Sequence, residues 1–119
     1  MSKILVIDDS FFQRKVVSDI VSELGHEVIP IASSTEGLNA ILTQNPDVVI
    51  MDLLMPEMNG TEVLEKLLEA ENRSPVIVLS ADIQESIKKK CMDLGAVAFI
   101  NKPAKKDELQ AKIKEILAR

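Results

Sequence analysis

Ile4-Leu5-Val6-Ile7 is a run of four apolar residues with nothing polar between them, and it stops at Asp8-Asp9. A strand with one face in water alternates apolar and polar side chains. An unbroken apolar run of this length fits a strand buried on both faces, the condition of a parallel sheet covered by helices. The same kind of run returns at Val28-Ile29-Pro30-Ile31, Asp47-Val48-Val49-Ile50-Met51, Pro75-Val76-Ile77-Val78-Leu79 and Val97-Ala98-Phe99-Ile100. Pro30 cannot donate to a ladder, which places the second strand at a sheet edge.

Segments of helical period lie between and after these runs. Phe12, Val16, Ile20 and Leu24 recur every four residues and predict a first helix, with Gly25 as its C-terminal cap. Ser33 with Glu36 reads as a capping box for a helix through Leu42. Thr61 to Glu71 carries Val63, Leu64, Leu67 and Leu68 on one face. Asp82 with Glu85 reads as a second capping box, opening a helix that ends at Leu94-Gly95. Asp107 to Ala118 points Leu109, Ile113, Ile116 and Leu117 inward. Five buried strands alternating with five helices predict an α/β, doubly wound, five-stranded parallel sheet.

The whole-chain properties agree. A length of 119 residues suits one compact domain over residues 1–119. Hydrophobic residues make up 46% and aromatics only 3%, so the core must be aliphatic. A net charge of −5 argues against direct nucleic-acid binding. The lone Cys91 forms no intramolecular disulfide, which predicts a reducing, cytoplasmic setting. The apolar run 4–7 is too short for a signal peptide or a membrane-inserted span.

In doubly wound sheets, ligands sit beyond the carboxyl ends of the strands. Asp8 and Asp9 follow strand one, Asp52 strand three, Ser80 strand four, and Lys102 comes just after strand five. One acid after one strand is ordinary turn chemistry; three carboxylates, a hydroxyl and an ammonium converging on one end of a sheet are not. The carboxylates repel, and Lys102 offsets one charge. A divalent cation offsets the rest. Hard oxygen ligands point to Mg2+, with Mn2+ as the alternative, and against zinc, since His26 and Cys91 lie at no strand end. A carboxylate beside such an ion can act as a nucleophile toward a phosphoryl group.

The segments Val6-Ile7-Asp8-Asp9-Ser10, Met51-Asp52-Leu53-Leu54-Met55-Pro56-Glu57-Met58-Asn59-Gly60, Leu79-Ser80-Ala81 and Phe99-Ile100-Asn101-Lys102-Pro103 span nearly the whole chain. Together they resemble the receiver domain of two-component response regulators, and the compact length resembles its single-domain, CheY-like chemotaxis members. The resemblance implies a flavodoxin-like strand order of 2-1-3-4-5. It implies that Asp52 accepts a phosphoryl group from a histidine kinase, and that Asp9, Asp52 and the Leu54 backbone carbonyl hold the metal, with Asp8 acting through a water. It makes Lys102 and Ser80 the phosphoryl-stabilising groups, Ser80 and Phe99 the switch pair, and the Lys102–Pro103 bond cis. Its output partner is a target protein on the face made by helix 4, strand 5 and helix 5, and a phosphatase is a further expected partner. Such a protein is no enzyme beyond its own phosphorylation and dephosphorylation.

Leu54 is apolar where many relatives are polar, which predicts slow self-dephosphorylation; Asp82, two residues past Ser80, pulls the other way by orienting a water. A phosphatase with an Asp nucleophile would want its two acids one residue apart and a large cap, and Asp8-Asp9 are adjacent. A flavin or nucleotide binder would want a glycine-rich phosphate loop, and Gly25, Gly37, Gly60 and Gly95 are scattered. A receiver excised from a longer regulator has the same sequence features.

Overall fold

The apolar runs form one sheet in this computed structural model, which describes residues 2–119. The elements are β1 (Lys3–Ile7), α1 (Phe11–Ser22), β2 (Glu27–Ile31), α2 (Ser34–Gln44), β3 (Val48–Asp52), α3 (Gly60–Glu69), β4 (Val76–Ser80), α4 (Glu85–Asp93), β5 (Ala98–Asn101) and α5 (Lys106–Leu117). All four strand pairings are parallel, in the order β2-β1-β3-β4-β5. This is the doubly wound, flavodoxin-like order that the resemblance implies, with β2 and its Pro30 at an edge.

Burial on both faces explains the unalternating runs. Ile4, Val6, Ile50, Ile77 and Leu79 pack with Val17, Ile20 and Val21 of α1 and Leu109, Ile113 and Ile116 of α5. Leu5, Ile7, Val49, Met51, Val76 and Val78 pack on the other face with Ala40 and Ile41 of α2, Val63, Leu64 and Leu67 of α3, and Cys91 of α4. Successive residues of one strand thus feed opposite layers. Gly37 lets α2 lie close to β1, since a Cβ there would stand 2.7 Å from Ile7 Cδ1.

Three sequence expectations are corrected. Phe12 is 70% exposed rather than inward. At 3.6 residues per turn, each step of four rotates the helix by roughly 40°, so a four-residue series leaves the core-facing stripe within three turns. The stripe runs through Val17, Ile20 and Val21. For the same reason Leu68 is 51% exposed, beside the stripe formed by Val63, Leu64 and Leu67. Asp82 does not cap α4: its Oδ1 accepts the Gln84 N–H at 2.9 Å, closing a turn before the helix, and Gln84 takes the cap position without a side-chain bond. The Ser33 cap holds, with Oγ accepting the Glu36 N–H.

The strands also reach further than the apolar runs. Asp52 and Ser80 are the last residues of β3 and β4 rather than loop residues, paired in register with Leu79 and Asn101. Ladder hydrogen bonds therefore fix their backbones. Past β3 the chain crosses residues 53–59 and enters α3, where the Asn59 side chain accepts the Glu62 N–H at 3.1 Å. Removing that cap in Asn59→Ala should cost about 1 kcal/mol. The loss should appear as a lower urea midpoint at unchanged m-value; an unchanged midpoint would mean the cap contributes nothing. Among the described residues, no helix is long and apolar enough to cross a membrane.

Candidate functional site

The strand order reverses between β1 and β3, and the carboxyl ends of β4 and β5 follow on the β3 side of that point along the same edge of the sheet. Asp8 leaves β1 with its backbone fixed: its N–H donates to Ile31 O at 3.0 Å, and its carbonyl accepts Arg14 Nη1 at 2.8 Å. Its Oδ1 accepts the Ser10 N–H at 2.9 Å, which leaves Oδ2 for the site. Asp9 is exposed. One carboxylate oxygen from each of Asp8, Asp9 and Asp52 lies within 4.8 Å of the others.

Lys102 joins the cluster. Its Nζ stands 3.0 Å from Asp52 Oδ1 and 3.4 Å from Asp8 Oδ2. The three side chains are only 17% (Lys102), 12% (Asp52) and 4% (Asp8) exposed, so this pairing is far less screened than a surface salt bridge. The Lys102 backbone is held as well, with its N–H donating to Ser80 O at 2.8 Å, and the Lys102–Pro103 bond is cis.

The electrostatics are unbalanced. Three carboxylates face one ammonium, an excess of two negative charges if all ionise. Burial raises the Asp52 carboxyl above its ordinary value; the Lys102 hydrogen bond and charge pull it down, and the charges of Asp8 and Asp9 push it up. The donor set fits a small hard cation: three carboxylate oxygens, one of them from a solvent-open residue, with surplus negative charge. It does not fit zinc. Cys91 is buried in α4 among the apolar side chains, and the His26 Nδ1 accepts the Ser2 N–H near the start of β2.

The remaining predicted residues lie around this centre. Ser80 is buried, and its Oγ accepts the Asp82 N–H at 3.0 Å, a bond that does not use the hydroxyl's own hydrogen. Phe99 on β5 is half-buried against the layer containing α3 and α4. Leu54 projects into solvent at 70% exposure. Its neighbour Leu53 is fixed, donating to Leu79 O at 3.2 Å and accepting the Gly60 N–H at 2.6 Å. Gly60 permits that approach, since a Cβ there would lie 3.1 Å from Leu53 Cα.

Two supporting residues escaped the sequence reading. Arg14 reaches back from α1 to the Asp8 carbonyl, and Asn101 Nδ2 donates to Asp82 O at 3.1 Å, tying the loop after β4 to the end of β5. The signal for Arg14 is its place in the first turns of a helix, where long side chains lean toward the N-terminus. Asn101 carries no comparable signal beyond its adjacency to Lys102.

Comparison with known proteins gives the same picture. The family model of the response regulator receiver domain matches residues 4–114. The chain belongs to the response regulator receiver family. This receiver is 35% identical over 118 residues to the chemotaxis protein CheY of Treponema pallidum, a match covering 97% of this chain and 82% of that one. It is 43% identical over 102 residues to a protein-glutamate methylesterase/protein-glutamine glutaminase of Haloarcula marismortui, covering 83% of this chain but only 27% of that protein. The receiver thus spans about a quarter of the length of that relative. Among solved structures, the receiver domain of the Francisella response regulator 1452 superposes with a TM-score of 0.94 at 28% identity, covering 100% of this chain and 98% of that one. The CheY-like receiver fold is therefore shared along its whole length.

Proposed function

We propose that this receiver is a phosphorylation switch in which Asp52 accepts a phosphoryl group from a histidine kinase, with Mg2+ bound at the acidic cluster. The observation that carries the reading is Lys102 Nζ lying within 3.4 Å of both Asp52 and Asp8 in a cluster of three carboxylates. An Asp52 oxygen attacks phosphorus in line as the bond to the donor breaks, and the leaving group departs with its electron pair. Asp8, Asp9, Asp52 and the Leu54 backbone carbonyl would hold Mg2+, with Mn2+ as a substitute. When bound, the ion supplies positive charge opposite the developing phosphoryl oxygens. Lys102 pairs with the product oxygens, and the Ser80 hydroxyl turns to donate to them. Phe99 moves inward into the space that Ser80 leaves, which carries the change toward the α4–β5–α5 face.

The chain's activity ends with its own phosphorylation and dephosphorylation, so it signals rather than turning over a substrate. The match to the Treponema chemotaxis protein over most of both chains supports a cytoplasmic, single-domain role in chemotaxis, with a target protein on the α4–β5–α5 face and a phosphatase as a further partner. A second reading, the receiver part of a longer regulator, is supported by the higher identity to a methylesterase of which this chain matches 27%.

The test is incubation with Mg2+ and acetyl phosphate. Intact mass should show one added phosphoryl group per chain, removed by hydroxylamine and not formed when EDTA replaces Mg2+. Steady release of phosphate from simple esters, with no labelled chain, would favour a phosphatase and sink the switch.

A further inference from the structure

The loop between β3 and α3 begins directly after Asp52 and contains Leu54, yet little holds its middle. Both ends are tied: Leu53 pairs with Leu79 and Gly60, and Asn59 caps α3. Between them Met55 is buried and Met58 half-buried against the core, while Leu54, Pro56 and Glu57 are exposed. Among the described residues, a single hydrogen bond leaves the segment 54–58, from the Ser33 hydroxyl to Glu57 Oε1. The same Ser33 Oγ accepts the Glu36 N–H as the N-cap of α2, so Glu57 is joined to a group that is itself fixed. The first turn of α2 presents its unpaired N–H groups and the positive end of its dipole there, which favours a carboxylate in that place.

We propose that Glu57 and Ser33 are positioning residues that latch the β3–α3 loop onto α2, holding the Leu54 backbone in place for the cation at the acidic cluster. The inference rests on the reading of that cluster as a Mg2+ site. Without the latch, residues 54–58 keep their apolar anchors but lose their one polar tie, and the ordering of the loop then falls on metal binding. The acidic cluster itself is untouched.

The experiment measures Mg2+ affinity by calorimetry on the full chain, alongside amide exchange of residues 54–58 without metal. Glu57→Ala should weaken Mg2+ binding about three- to fivefold, the worth of one modest hydrogen bond. It should also speed exchange in the loop while leaving β3 protected. Glu57→Gln keeps an oxygen acceptor for Ser33 and loses only the attraction of the α2 dipole, so it should recover most of both readouts; equal losses in Gln and Ala would mean that only the charge matters and would overturn the latch. Ser33→Ala should match Glu57→Ala in the loop, and the double variant should be no worse than either single. If the parent chain binds Mg2+ and all variants bind it equally, the latch fails alone. If the parent binds none, the metal reading fails with it.

Discussion

Asp52→Asn should take no phosphoryl group from acetyl phosphate and Mg2+, and yet should melt above the parent chain when metal is absent. The first half follows from nucleophilicity. The substitution leaves the shape of the site nearly unchanged and removes the carboxylate oxygen that attacks phosphorus. The neighbouring acids do not take over. Asp8 already spends Oδ1 on the Ser10 N–H, and Asp9 sits out in solvent. The second half follows from the raised Asp52 carboxyl. A carboxyl raised on folding binds its proton more tightly in the native than in the unfolded state. Its ionised form therefore destabilises the metal-free fold above that pKa, and the penalty fades as pH falls through it. The neutral amide removes the penalty at every pH, so the midpoint should rise near neutrality and the gap should close in acid. Added Mg2+ should stabilise the parent more than the variant. Retained labelling in Asp52→Asn would move the acceptor elsewhere. An unchanged or lower midpoint would mean that Lys102 already balances the cluster.

How much of this was legible in the sequence depends on what burial writes into it. Ile4 to Ile7 announced a strand covered on both faces, because opposite layers both need apolar partners. Pro30 announced an edge because it lacks a donor. Phe12 and Leu68 were misplaced because spacing locates a helical stripe only to within the rotation that accumulates along it. The start of α4 was misplaced because Asp82 can cap a helix or close a turn with the same oxygen, and only the backbone of residues 82–84 chooses between them.

The site was legible as a list and illegible as an arrangement. Asp8, Asp9, Asp52 and Lys102 could be picked out because each comes at or just past a strand end. Their convergence depends on β1 lying beside β3 and β4 beside β5, an order that the hydrophobic pattern does not encode and that came only through the resemblance. The reach of Lys102 to two carboxylates at once, the support from Arg14 and the Ser33–Glu57 bond all follow from tertiary placement or from side-chain direction. None of them leaves a periodic trace.

Lys102→Met should have the opposite effect on stability from Asp52→Asn. Methionine keeps the length and apolar bulk of the lysine stem, so the change removes the ammonium with little loss of packing. Asp8 and Asp52 are then left largely buried with no cation. Removing one partner of a buried pair typically destabilises by about 3–5 kcal/mol; with water reaching Asp9 and the rim of the site, about 2–4 kcal/mol is expected in metal-free buffer at neutral pH. Without the ammonium, the Asp52 carboxyl should rise further above its ordinary value. The deficit should then shrink as pH falls toward that range and Asp52 takes up its proton. Mg2+ should also narrow it, by supplying the missing charge to the native state alone. Adding Asp52→Asn to Lys102→Met should recover much of the loss, since the pair interact directly and their effects cannot be additive. A Lys102→Met chain as stable as the parent without metal at neutral pH would show that the ammonium does not hold the cluster together, and the observation on which the switch is argued would lose its energetic meaning.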